Sequence, residues 1–319
     1  MFRPKKQIER KIIIEILQEL KKEIPLSEYL YIGFGSIYYY DFILFHKMLN
    51  MNNLLSIDDK STRRRFEFNR PYDFILFENK ISTNFLSEYD WKQKTALWLD
   101  YDYKLEDIVL SDLKIIAKNC KKGDILIITL NAYCEKYWHK REQARGNFYR
   151  KFGTYISNKH RDKKYYTPQK FPLLLQDVII NYLMTMSEYR DIEFYKLFSF
   201  RYQDTAPMFT IGGIFDDNGE LLNKDWINRF ISTNEVIKDI NVPILTYCEK
   251  FYLDSHIEEL KQKVEEIEDE IGEGDSSLME EKMTEKINEM LPFELRSFYD
   301  LKSYIEYYRY YPQYYEGII

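Results

Sequence analysis

Two glycines, a serine and three carboxylates in the first third of the chain have the types and spacing to hold a polar ligand. Gly33 and Gly35 stand in Tyr31-Ile-Gly-Phe-Gly-Ser36, between a strand-like apolar run and a helix-like one. Small residues in such a turn let the backbone approach a ligand, and the free N–H groups at the helix start favour a polar or anionic group. The next strand-like run, Leu54-Leu-Ser-Ile-Asp58-Asp59, ends in a carboxylate at the position from which a ribose diol is held in nucleotide-type sites. A later run, Trp98-Leu-Asp-Tyr-Asp102, places Asp100 and Asp102 at another strand end. Strand alternation puts the two on one face, as a base or as acceptor-positioning groups, and the competing role for either is to cap the following helix.

The elements that must position these residues are legible as alternating patterns. Residues 5–24 carry Ile8, Ile12, Ile13, Ile16, Leu17 and Leu20 at three- and four-residue spacing, an amphipathic helix stopped by Pro25. Strands are expected at 29–33, 54–57, 73–77, 95–99 and 124–130, with helices at 38–49 and 105–119. This order predicts an α/β fold: a Rossmann-like doubly wound sheet whose ligands bind at the carboxyl ends of the strands. Residues 171–186 read as a helix, and 194–202 and 208–215 as a late antiparallel strand pair. Gly212-Gly213 within the second of these marks a bulge or close backbone approach, with support of an acceptor pocket as the sharper alternative. The Asp216-Asp-Asn-Gly219 run is a turn, and 221–240 reads as mixed and helical. Residues 258–289 are acidic and split near Gly272 into two charged helices or a helix and a loop, and a Tyr-rich stretch, 293–315, is expected to dock as a C-terminal helix. The expected divisions are 1–134 as the cofactor half, 135–190 as a basic aromatic insertion, 191–240 as the strand pair and 241–319 as a helical C-terminal region.

Composition narrows the function classes. The 319 residues are 45% hydrophobic and 17% aromatic with only 11 Gly and 9 Pro, which excludes disordered, fibrous and low-complexity classes. Cys120, Cys134 and Cys248 show no Cys-x-x-Cys spacing, so a reducing, cytoplasmic setting is expected. Neither a signal peptide nor a membrane span is expected, since charges break every apolar stretch. The four histidines lack metal-site spacing, so no metal is expected, and neither a Gly-x-Ser-x-Gly elbow nor a Gly-Lys-[Ser/Thr] phosphate loop is present.

The net charge of −6 hides a reversal: between 135 and 170, eleven Lys and Arg face three Asp and Glu. Lys159, Arg161, Lys163 and Lys164 are the densest part of this run. Tyr137, Trp138, Phe148, Tyr149, Phe152, Tyr155, Tyr165 and Tyr166 alternate with its cations, a mixture suited to phosphate contacts and base stacking in RNA or DNA. Arg63 and Arg64, in the Arg63-Arg-Arg65 run past the second strand, extend the same expectation. The competing reading is a solvated charged surface, and the acidic segment is either a solvated helical hairpin or a face for the basic insertion or a protein partner.

Taken together, Gly33-Phe-Gly-Ser36, Trp98-Leu-Asp-Tyr-Asp102 and Ala206-Pro-Met-Phe-Thr-Ile-Gly-Gly213 resemble a family of bacterial methyltransferase-like proteins with the class I S-adenosylmethionine-dependent fold. The fold likeness covers roughly residues 5–215 outside the basic insertion. The resemblance implies S-adenosylmethionine as cofactor, with Gly33, Gly35 and Ser36 lining its methionine and ribose side. It also implies that Asp58 holds the ribose hydroxyls and that Asp100 faces the transferred methyl. Tyr31 and Ile37 stand where such methyltransferases carry an acid and a third glycine. Two readings follow: a methyltransferase acting on a nucleic acid or another anionic acceptor, or a methyltransferase-fold binding module without transfer activity. A nicotinamide enzyme fits less well, because the turn lacks the third glycine of the dinucleotide fingerprint.

Overall fold

The computed structural model describes residues 3–59, 63–220, 237–272 and 277–313. They form two compact units, a larger one of Ile13–Arg201 with Thr205–Lys238 and a smaller one of Met1–Ile12, Tyr202–Asp204 and Asp239–Ile319, each as far as described.

Helix α1 (Pro4–Leu20) ends four residues before the Ile24-Pro25 pair that the periodicity ran to. The parallel strands are β1 (Leu30–Phe34), β2 (Asn53–Ile57), β3 (Ile75–Glu78), β4 (Thr95–Asp100) and β5 (Ile125–Asn131). Their apolar runs are buried nearly end to end in β1, β4 and β5, as strands covered on both faces require. Between them lie α2 (Tyr40–Leu49), α3 (Arg63–Phe68), α4 (Ser82–Glu88) and α5 (Asp107–Asn119). Val109, Leu113 and Ile116 recur at helical spacing along α5 and are all buried, so the helix forms around the stripe it turns inward.

After β5 come α6 (Trp138–Phe152), three 3-10 turns and α7 (Phe171–Ser187), then β6 (Glu193–Gln203) and β7 (Pro207–Asp216). With β8 (Lys238–Ile240) at its edge, the sheet order is β3-β2-β1-β4-β5-β7-β6-β8, and β7 runs antiparallel to β5 with Ile128 opposite Ile211. This is the doubly wound sheet with a late antiparallel pair expected from the sequence. Gly212 and Gly213 mark a close approach: a Cβ on Gly213 would lie 2.3 Å from the Tyr195 carbonyl oxygen, and one on Gly212 would lie 2.1 Å from the Phe198 ring. Lys238–Ile240 is strand β8 rather than the end of a helix, because it pairs at the sheet edge; the expected helix over 221–236 lies outside the described residues.

In the smaller unit, α8 (Tyr247–Ser255) starts with a capping box between Thr246 and Glu249. The acidic segment is two helices, α9 (Ile257–Ile271) and α10 (Ser277–Met290), whose apolar stripes include Val264 and Ile287. Helix α11 (Phe298–Tyr307) buries Tyr304, whose hydroxyl donates to Asp254 at 2.6 Å. Of the Tyr-rich C-terminal stretch, Tyr304, Tyr307 and Tyr311 are buried and Tyr299 is exposed, and its last residues lie outside the described ones.

Candidate functional site

The carboxyl ends of β2, β1 and β4 are neighbours in the sheet, and each delivers part of the expected set. Gly33 and Gly35 are buried at the end of β1, and Ser36 is exposed just beyond. The turn is tied by Tyr39 N–H donating to the Ser36 carbonyl at 3.1 Å and Tyr38 N–H donating to the Ser36 hydroxyl at 3.3 Å. Tyr39 itself adopts φ 49° and ψ 30°, a left-handed conformation that costs a tyrosine energy and persists only where its surroundings fix it. Those surroundings are visible: its buried hydroxyl donates to the Phe66 carbonyl at 3.1 Å, and its ring meets Phe42 edge-on at 5.4 Å.

Both glycines also answer to neighbours within the protein. A Cβ on Gly33 would sit 2.6 Å from the Tyr31 hydroxyl oxygen, and one on Gly35 would sit 2.0 Å from the Ser56 hydroxyl oxygen. Tyr31 is buried, with its ring stacked on Phe45 at 3.9 Å. Tyr31 is thus part of the packing under the turn.

Asp58 follows β2, half-buried, and its N–H donates to the Glu78 carbonyl at 3.2 Å. Asp100 is the last residue of β4 and is half-buried, whereas Asp102 lies beyond the strand and is exposed. Strand alternation therefore stops short of Asp102, which corrects the expected shared face. Neither caps the next helix: α5 begins at Asp107 with Glu106 at its N-cap and no side-chain capping bond.

Between the two carboxylates, Tyr101 is buried and anchored by contacts that sequence reasoning missed. Its hydroxyl donates to Asp112 on α5 at 2.6 Å, and its ring meets Phe34 of the glycine turn edge-on at 5.0 Å. Asp112 accepts further hydrogen bonds from Ser82, at 2.5 Å, and from Thr83, both on α4. Burial pushes the Asp112 carboxyl above the usual range against the three hydroxyl donors, and burial next to Asp112 pushes Tyr101 well above an ordinary phenol. The available signal was a carboxylate on the apolar stripe of Val109, Leu113 and Ile116.

The basic insertion emerges from the same edge, because β5 is parallel to β4. Lys159, Arg161, Lys163 and Lys164 are exposed on its short turns. Its aromatic residues divide: Phe148, Phe152 and Tyr166 are buried and belong to the core, which corrects their expected place on a stacking surface, while Tyr137 is exposed. Tyr165 is flanked by the Lys164 and Lys170 ammonium groups, each 5.5 Å from its ring centre, and the Trp138 side chain lies outside the described ones. His160 Nδ1 lies 2.7 Å from Asp177 of α7, and that carboxylate also accepts from the Ser157 N–H at 3.0 Å and from its hydroxyl. Arg63 pairs with Glu67 at 2.8 Å, whereas Arg64 is exposed. Among the described residues no His, Cys, Asp and Glu cluster could hold a metal ion, and no helix is long and apolar enough to cross a membrane.

A family model described as "Putative O-methyltransferase" matches residues 1–319. The chain belongs to that family. No curated protein matches the chain. Among solved structures, Trm1 from Pyrococcus horikoshii with S-adenosyl-L-methionine is 13% identical over 69% of this chain and 57% of its own, with a TM-score of 0.45. The match thus spans little more than half of that protein's length. The N-methyltransferase NodS from Bradyrhizobium japonicum WM9 with S-adenosyl-L-homocysteine is 8% identical over 65% of this chain and 87% of its own, with a TM-score of 0.34. An rRNA methylase from Streptococcus thermophilus is 9% identical over 68% of this chain and 98% of its own, with a TM-score of 0.33.

Proposed function

We propose that this protein is an S-adenosylmethionine-dependent methyltransferase whose acceptor is a hydroxyl on a nucleic acid. The family match over residues 1–319 carries the reading, and the donor set at the carboxyl edge fits the cofactor. Two glycines without side chains, the exposed Ser36 hydroxyl and the half-buried Asp58 and Asp100 carboxylates stand on three neighbouring strand ends. When bound, S-adenosylmethionine supplies an electrophilic methyl on a sulfonium. Asp58 would accept hydrogen bonds from the two ribose hydroxyls, and Ser36 with the backbone N–H groups of its turn would bind the polar methionine end.

Asp100 would orient the acceptor hydroxyl and take its proton as the methyl leaves the sulfonium sulfur for that oxygen, so that positioning would supply most of the acceleration. Exposed Asp102 contacts the acceptor from the rim. Lys159, Arg161, Lys163 and Lys164 bind its phosphates, with Arg64 in support. Three unpaired cysteines fit a reducing, cytoplasmic setting.

Calorimetry with S-adenosylhomocysteine tests the site. Asp58→Ala is expected to weaken binding at least about tenfold, the scale of lost hydrogen bonds to a charged group. Asp100→Ala is expected to bind like the parent and to lose transfer. A parent that does not bind S-adenosylhomocysteine would overturn the enzyme reading and leave a methyltransferase-fold binding module.

A further inference from the structure

Helix α3 is anchored on one side only. Phe66 is buried, stacks on Phe77 at 5.4 Å and offers its carbonyl to the strained Tyr39, so the six-residue helix has a fixed orientation beside the glycine turn. Its other side presents Phe68, 88% exposed, with Arg65 three residues and Arg64 four residues before it and both exposed. Residues at these spacings share a helix face. Among the described residues neither guanidinium is paired with a carboxylate; the neighbouring Arg63 is the one that engages Glu67. An exposed phenylalanine on one helix face with two such cations matches a ligand with both a flat π-face and negative charge.

We infer that Arg64, Arg65 and Phe68 form one end of a binding track for single-stranded nucleic acid, with a base stacked on Phe68; this deepens the proposed function and rests on it for the acceptor's identity. The topology supplies the path. β2 and β5 are parallel to the strands between them, so α3 and the basic insertion leave the same edge of the sheet on opposite sides of β1 and β4. Three strand spacings of about 4.8 Å separate the ends of β2 and β5 from which they start, about 14 Å in all. At the 3.4 Å spacing of a stacked strand this is about four phosphates, running across the glycine turn and Asp100. A base inside a duplex has both faces covered by its neighbours and cannot stack on a protein ring, so an exposed aromatic platform selects unpaired strands.

The test is fluorescence anisotropy with labelled oligouridine and oligothymidine of about twelve nucleotides, within the range one such surface covers, and with a duplex of the same length. Tighter binding of the single strands than of the duplex is expected. Phe68→Ala should weaken them at least about fivefold, and Phe68→Trp should retain parental affinity. Arg64→Ala with Arg65→Ala should make the slope of log K against log salt shallower by about 1.4, the value for two phosphates engaged on a single strand. Retention of both oligonucleotides points to the shared backbone and bases, and retention of oligouridine alone makes the strand RNA. Parental affinity in Phe68→Ala, preference for the duplex, or no binding by the parent would each overturn the inference. Calorimetry with S-adenosylhomocysteine on the same samples separates the two readings. Failure of the parent to bind it removes methyl transfer, and the oligonucleotide result still decides the track.

Discussion

A Cβ on Gly35 would lie 2.0 Å from the Ser56 hydroxyl oxygen and 3.2 Å from the Ser56 Cβ, so alanine there must turn the buried Ser56 hydroxyl aside and crowd its Cβ. Were the glycine present only to let a ligand approach, Gly35→Ala would fold with parental stability and lose binding alone. The packing predicts otherwise: a loss of about 1–3 kcal/mol in urea unfolding, the usual cost of overpacking. Gly35→Ala combined with Ser56→Ala should recover part of it, and an unchanged midpoint in the single variant would refute the packing role. At this scale the sequence singled out Gly33, Gly35, Ser36 and Asp58 as candidates, because turn glycines and a carboxylate after a strand are local features. It did not show that Tyr31 and Ser56 lie against the glycines, since those contacts exist only once β1 and β2 are paired.

The second scale is that of β4, α4 and α5, which meet at Asp112. Three hydroxyls donate to this buried carboxylate, and one belongs to Tyr101, the residue between Asp100 and Asp102. Burial raises its folded-state pKa above the ordinary carboxylate value, so the native state binds the proton more readily than the unfolded chain does. Stability from this group therefore increases as pH falls from neutral through the raised pKa, and is constant again below the unfolded value. The stability difference between the parent and Asp112→Asn should shift in the parent's favour between pH 7 and pH 4, read by urea unfolding at each pH. A constant difference would show that the carboxylate titrates normally in the fold. The seven-residue α4 was not among the expected elements, whereas β4 and α5 were legible from period and punctuation, with boundaries displaced by one or two residues. The Asp112 network was not, because a lone acid within an amphipathic pattern looks like an ordinary solvated helix residue until α4 covers it.

Charge is a property of the whole chain, and its uneven distribution yields the sharpest prediction. Eleven Lys and Arg against three acids between 135 and 170, in a molecule of net −6, concentrate positive potential on one segment. The sequence located that segment but held no reason for it to keep a shape. The structure supplies one: Asp177 on α7 accepts from the Ser157 N–H at 3.0 Å and lies 2.7 Å from His160 Nδ1, and Tyr149 donates to the His160 carbonyl at 3.3 Å. These bonds hold the turns that carry Lys159, Arg161, Lys163 and Lys164. Replacing the four with Ala should make the salt dependence of oligouridine binding shallower by about 0.7 for each phosphate no longer neutralised. Asp177→Ala makes the decisive comparison, because it removes a negative charge packed against that segment from α7. If net charge alone governs binding, affinity must rise. If the turns are preorganised, releasing them adds an ordering cost to every binding event, and affinity must fall by about threefold or more even though the surface has become more positive. Anisotropy titrations of Asp177→Ala and the parent at one ionic strength distinguish the two, and an increase in affinity would return the insertion to a flexible, solvated cationic surface.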